Sequence, residues 1–240
     1  MATFILVHGA LHGGWCWDRV STRLEAMGHR ALAPDLPGSA GNWMAHQDVS
    51  LAVYGDFLAD LARRQGERTV LVGHSLAGIA ISEAAERVPE AVGGLVYVSG
   101  VLLPDGAAAI DLFAGRAMPE GLSLSEDGLS LADDPRHARE RYYNGCDDAD
   151  ASSALARLCS QPARPMAEAL RLSPDRFGRL ARAYVECAHD NAMAPDLQRA
   201  QQAALPCDPV FVMQTGHSPF LQAPDELARH LAAAASAFGL

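Results

Sequence analysis

Val70-Leu71-Val72-Gly73-His74-Ser75-Leu76-Ala77-Gly78 runs an apolar strand straight into a serine flanked by small residues, and a small-residue helix follows from Leu76 to about Arg87. A nucleophile perched on so tight a strand-to-helix turn needs small neighbours two residues before and after it, because longer side chains would collide there. Gly73 and Ala77 meet that need, although the usual pattern has glycine where Ala77 stands. The turn also sets Ser75 at a helix N-terminus, where backbone N–H groups stabilise developing negative charge. A serine that merely caps a helix after a glycine turn is the plainer reading. The strand, the two small residues and the immediate helix together favour the nucleophile.

Working outward, strands and helices alternate through the first hundred residues. Phe4–Val7, Arg30–Ala33, Thr69–Val72 and Leu95–Val98 read as strands, with helical spacing at Val20, Leu24 and Met27 and again at Leu51, Tyr54, Leu58 and Leu61. Continuous apolar strands alternating with helices imply a parallel sheet covered on both faces. Between about Pro104 and Arg182 no strand is expected, only turns and short helices such as Arg136–Tyr143 and Ala149–Leu158. The alternation resumes with Ala183–Glu186, a helix near Asp196–Ala204, Val210–Met213 and a closing amphipathic helix. The expected organisation is therefore an α/β core of residues 1–103 and 183–240, interrupted by a helical cap over 104–182. Both ends of that insertion adjoin strands, which suits a lid over the carboxyl edge of the sheet.

Composition narrows the function. The 240-residue chain carries a formal net charge of −10, and all 19 of its cations are arginine. Without lysine, Schiff-base chemistry, pyridoxal-phosphate chemistry and a Walker A phosphate loop are excluded. An acidic chain with no basic run is a poor partner for nucleic acid or an anionic membrane surface. Five scattered cysteines without a Cys-x-x-Cys pair suggest reduced thiols and a cytoplasmic protein. No segment approaches the roughly 18 apolar residues of a spanning helix, and Phe4–Val7 is too short for a signal peptide.

A serine at neutral pH needs a base, and the base needs an orienting group. His217 lies in Gln214-Thr215-Gly216-His217-Ser218-Pro219, just past the carboxyl end of the last expected strand. In an open parallel sheet, Ser75 emerges at that same edge. Asp190 follows the strand Ala183–Glu186 at its carboxyl end, with Asp105, after the fourth strand, as the topologically allowed alternative; Asp208 precedes a strand and belongs at the opposite edge. The loop His8-Gly9-Ala10-Leu11-His12-Gly13-Gly14-Trp15 follows the first strand and can supply the second oxyanion donor, the N–H of Ala10 pairing with that of Leu76. His8 and His12 have the spacing of a zinc pair but lie in a glycine-rich loop with no third ligand, so no metal is expected. The loop also lacks dinucleotide-binding spacing, and no cofactor is expected. Trp15 and Trp17 are expected to pack on the sheet.

With these elements assembled, the chain resembles the α/β-hydrolase superfamily. More narrowly it is similar to the small branch containing plant methyl-salicylate-type esterases, hydroxynitrile lyases and their bacterial esterase relatives. The matching stretches are His8-Gly9-Ala10 through Trp15-Cys16-Trp17, Ala33-Pro34-Asp35-Leu36-Pro37-Gly38, Gly73-His74-Ser75, Tyr184-Val185-Glu186-Cys187 and Gly216-His217. The order Ser75, Asp190, His217 is that of the superfamily. The resemblance implies a mostly parallel six-stranded sheet with helices on both faces, an inserted helical cap, and cleavage of a small carboxylic ester through a Ser-His-Asp triad and an acyl-enzyme. In the lyases of this branch a threonine hydroxyl and a lysine ammonium hold the substrate; the matching positions here are Gly9 and Ser218, which favours ester hydrolysis. A carbon–carbon lyase or cyclase on the same fold, and a binding protein with a weakly active triad, are the alternatives. Leu11, Leu102, Phe113, Leu158 and Phe220 are expected to line an apolar pocket for the small-molecule ester. Relatives often pair through surface helices, which allows a homodimer.

Overall fold

The computed structural model describes residues 1–115 and 117–240. Its centre is a six-stranded sheet in the order β2 (Arg30–Leu32), β1 (Thr3–Val7), β3 (Thr69–His74), β4 (Val92–Val98), β8 (Arg182–Cys187), β9 (Val210–Met213). All five pairings are parallel. Each strand foreseen in the sequence is present, within a residue or so at most ends.

Side chains alternate between the two faces of the strands, and each face builds its own core. Ile5, Val7, Leu71, Leu95, Tyr97 and Tyr184 pack with α2 (Leu51–Arg63) and α3 (Ala77–Arg87). Phe4, Leu6, Val70, Val72, Val96, Val98 and Val185 pack on the opposite face with α1 (Asp18–Ala26) and the closing helix α9 (Pro224–Ala237). Burying a side chain of this size contributes about 1.5–3 kcal/mol, so dozens of them hold the sheet rigid beneath whatever its loops carry. Helix α7 (Pro195–Ala204) joins β8 to β9.

The stretch 104–182 departs from expectation. It holds the helices α4 (Pro135–Tyr142), α5 (Asp148–Leu155) and α6 (Arg164–Ala167), but also a three-stranded antiparallel sheet. That sheet is formed by β5 (Leu122–Leu124), β6 (Ser130–Asp133) and β7 (Gln161–Pro162). The segment is therefore mixed rather than purely helical. Its strands are two to four residues long and partly exposed, too brief for an apolar run to mark them. The segment leaves the sheet after β4 and returns at β8, its direct neighbour.

Candidate active site

Ser75 stands between β3 and α3 with φ +52. A left-handed serine is uncommon and persists only where its surroundings over-determine it. Here its N–H donates to the Val98 carbonyl at 3.2 Å, and its carbonyl accepts from Val101 and Gly78 at 2.8 and 3.1 Å. A Cβ on Gly73 would sit 2.9 Å from the Ala77 carbonyl oxygen, which is the crowding foreseen for this turn. Gly9 brings the loop after β1 equally close: a Cβ there would meet the Ser75 Cβ at 2.9 Å.

His217 follows β9, before the short helix α8 (Pro219–Gln222), and Asp190 follows β8. Their side chains meet: His217 Nδ1 lies 2.7 Å from Asp190 Oδ2. An ionised carboxylate only accepts, so Nδ1 carries the proton and the neutral ring keeps its lone pair on Nε2. Asp190 is buried and saturated with donors. Oδ1 accepts the N–H groups of Ala192 and Met193, both at 2.7 Å, and Oδ2 also accepts from Ser99 Oγ at 2.5 Å. Burial alone would raise its pKa; the neighbouring His217 ring and these hydrogen bonds outweigh burial and hold the carboxyl below its ordinary value.

Ser75 and His217 both line a cavity of about 290 Å³ at the carboxyl edge of the sheet. Ser75 Oγ has no hydrogen-bond partner among the described residues, and the side-chain pair Asp190–His217 stands ready-formed beside it. Serine–imidazole bonds commonly tighten only when substrate is bound. Ala10 and Leu76 line the same cavity. Neither of their N–H groups donates to another described residue, leaving two free donors flanking Ser75.

Three other buried histidines are each hydrogen-bonded. His8 bridges the Leu36 N–H and the Gly9 carbonyl. His12 donates from Nδ1 to the Ala10 carbonyl at 2.7 Å and accepts the Tyr143 hydroxyl on Nε2 at 2.9 Å. Burial, above all, lowers its pKa to about 3. His74 is buried, donates from Nε2 to the His217 carbonyl at 2.8 Å, and is held well below its ordinary pKa by burial first and by the neighbouring His217 second. Asp105, the alternative acid, instead accepts the Leu172 N–H at 2.7 Å, anchoring the inserted segment. Trp17 is buried against Phe220 and His74, while Trp15 stacks on His12 and lies under the Arg157 guanidinium.

The cavity wall corrects part of the expected pocket. Leu11 and Phe113 line it, but Leu102, Leu158 and Phe220 do not. Leu102 is buried in the core, its N–H fixed to Gln201 Oε1 on α7. Leu158 packs with Tyr143 and Ala154. Phe220 turns edge-on to His74 inside the core on the α1 and α9 face. The residues that take their places come from the inserted segment (Leu112, Leu122, Leu131, Met166) and from the loop after Asp190 (Met193). Among them sit a few polar groups, including Gln161, Arg141 and Asn191. Ser218, matched to the lyase cation, is buried and spends its hydroxyl on the Tyr142 carbonyl at 2.8 Å.

Nothing in the sequence marks Ser99 as part of the site. A serine closing an apolar strand carries no pattern of its own; only the fold brings it to Asp190.

Residues 4–230 match the alpha/beta hydrolase family. Methylesterase 2 of Arabidopsis thaliana is 32% identical over 254 residues, covering 98% of this chain and 96% of that protein. Putative methylesterase 12, chloroplastic, of Arabidopsis thaliana is 30% identical over 240 residues, covering 93% of this chain and 69% of the relative. Among solved structures, a pyrethroid hydrolase from Sphingobium faniae superposes with a TM-score of 0.88 at 29% identity, covering 98% of each chain.

Proposed function

This chain belongs to the alpha/beta hydrolase family, and from that premise we propose that it is an esterase that cleaves a small carboxylic ester through Ser75, His217 and Asp190. The observation that carries this reading is the buried 2.7 Å bond between His217 and Asp190, formed where His217 and Ser75 share one cavity wall. The names of the relatives, methylesterases and a pyrethroid hydrolase, support the same class of reaction.

In this mechanism His217 Nε2 takes the Ser75 proton as Oγ attacks the ester carbonyl carbon. Asp190 holds the ring in the required tautomer and stabilises its cationic form. The N–H groups of Ala10 and Leu76 receive the negative oxygen of the tetrahedral intermediate. Its collapse breaks the ester C–O bond, and His217 returns the proton to the leaving alkoxide. Water, deprotonated by the same ring, then attacks the acyl-enzyme and regenerates Ser75. The segment 104–182 acts as a cap that shares the apolar wall about equally with the core loops, so an apolar acyl or alcohol group of modest size fits best. Among the described residues no helix is long and apolar enough to cross a membrane, and five free thiols support a reducing compartment such as the cytoplasm.

The test is a p-nitrophenyl ester assay with mass spectrometry. Ser75→Ala is expected to lower kcat by at least about 10³-fold, as loss of a triad nucleophile does. A fluorophosphonate should label the wild type at Ser75. A variant that kept wild-type turnover would remove the reading.

A further inference from the structure

Ser99 immediately follows β4 at the edge of the sheet where Asp190 lies, and it is fully buried. Its φ is +40, a left-handed conformation that serine adopts only under constraint. The constraint is visible: its N–H is tied to the Val185 carbonyl at 2.8 Å, and its Oγ donates to Asp190 Oδ2 at 2.5 Å. That oxygen is the one His217 Nδ1 uses. The other carboxylate oxygen is already taken by two backbone N–H groups. Two side-chain donors therefore divide a single acceptor atom, one of them the imidazole.

We propose that Ser99 is a positioning residue that sets how strongly Asp190 holds the His217 imidazolium, by drawing part of the charge of Oδ2 onto its own hydroxyl. The proposal rests on the esterase reading and deepens it. A short bond to a charged acceptor is among the stronger hydrogen bonds in proteins, and charge shared with Ser99 is charge unavailable to the ring. Without the hydroxyl, Oδ2 turns wholly to His217, the imidazolium is stabilised, and the ring loses its proton at higher pH. β8, which leads to Asp190, lies between β4 and β9, so Ser99 and His217 come to the carboxylate from strands on its two sides.

The groups that could blur such an effect are few. His12 and His74 face His217, and burial keeps both uncharged. Tyr142 also faces that ring, and Tyr184 and Cys187 face Asp190; burial pushes all three up, so they remain uncharged near neutral pH. Glu186, next to Cys187 on the strand, is paired with Arg199, Arg141 on the cavity wall is paired with Asp133, and His189 is exposed. The acidic limb of the rate profile thus belongs to the Asp190–His217 pair.

The experiment is the pH dependence of kcat/KM on a p-nitrophenyl ester for wild type, Ser99→Ala and Ser99→Gly, with the Ser75→Ala enzyme as control. Glycine removes the hydroxyl while relaxing the left-handed backbone, so it serves if alanine disturbs the fold. Both variants are expected to move the acidic limb upward by roughly 0.5–1 pH unit. In proton NMR, the downfield Nδ1 proton of His217 should shift in the same variants, a readout independent of turnover. Limbs and proton resonance unchanged from wild type in a folded variant would overturn the proposal, even if stability fell. Activity that survives Ser75→Ala would instead defeat the esterase reading, and the NMR signal would still decide the role of Ser99.

Discussion

A methyl group added at Gly78 would lie 2.2 Å from the Val101 carbonyl oxygen, a backbone atom with no flexible end to yield. Val101 is also the residue whose N–H ties down the Ser75 carbonyl, at 2.8 Å. Gly78→Ala is therefore expected to shift the loop that holds Ser75, lowering stability by about 1–3 kcal/mol in urea denaturation and reducing turnover with it. Unchanged unfolding and kinetics would show that this close approach can relax freely. At this scale the sequence was most legible where chemistry demands a pattern. Gly73, Ser75 and Ala77 announce a sharp turn, and Asp190 and His217 follow strands that must end at the same edge. Ser99 and His74 were not legible as contributors, because a buried serine and a buried histidine acquire meaning only from the distant groups they meet.

The loop after β1 is an element held from two sides. Its own strand anchors one end, while His12 accepts the Tyr143 hydroxyl just past α4 and Gln161 on β7 reaches the Leu11 N–H at 3.4 Å. Tyr143→Phe would leave His12 Nε2 buried without a donor, a loss of about 1–3 kcal/mol. Because His12 also fixes the Ala10 carbonyl, kcat is expected to fall more than KM rises. A purely structural tyrosine would change the unfolding free energy and leave kcat alone. The long elements of this fold could be read from periodicity, since six apolar strands and their helices each repeat one signal. The small sheet is hidden from that signal, because β5 and β6 are short and polar on one side. A signal did exist in Leu122-Ser123-Leu124, Asp127-Gly128 and Leu129-Ser130-Leu131, an alternating pair of runs about an Asp-Gly turn. Gly128 there adopts φ +73, as that turn requires.

For the molecule as a whole, three buried histidines make stability depend on pH. His8, His12 and His74 all have pKa values lowered chiefly by burial. In the unfolded chain each would protonate near its ordinary value of 6.5, so below that pH the unfolded state binds more protons and gains. Each group then removes up to about 1.4 kcal/mol per pH unit, a loss that for His12 continues down to about pH 3. Asp190, held low in the folded state, adds to the loss once the pH falls below its ordinary value of 3.8. Urea titrations at pH 7 and pH 5 should show a clear fall in unfolding free energy with an unchanged slope against denaturant; equal stability at the two values would mean these rings are protonated in place. Finally, β4 and β8 hydrogen-bond to one another, so the polypeptide departs for residues 104–182 and comes back through a gap one strand wide. A different excursion could be spliced between those two rails without rethreading the scaffold. Such a graft would still have to restore the props that Tyr143 and Gln161 give the loop after β1.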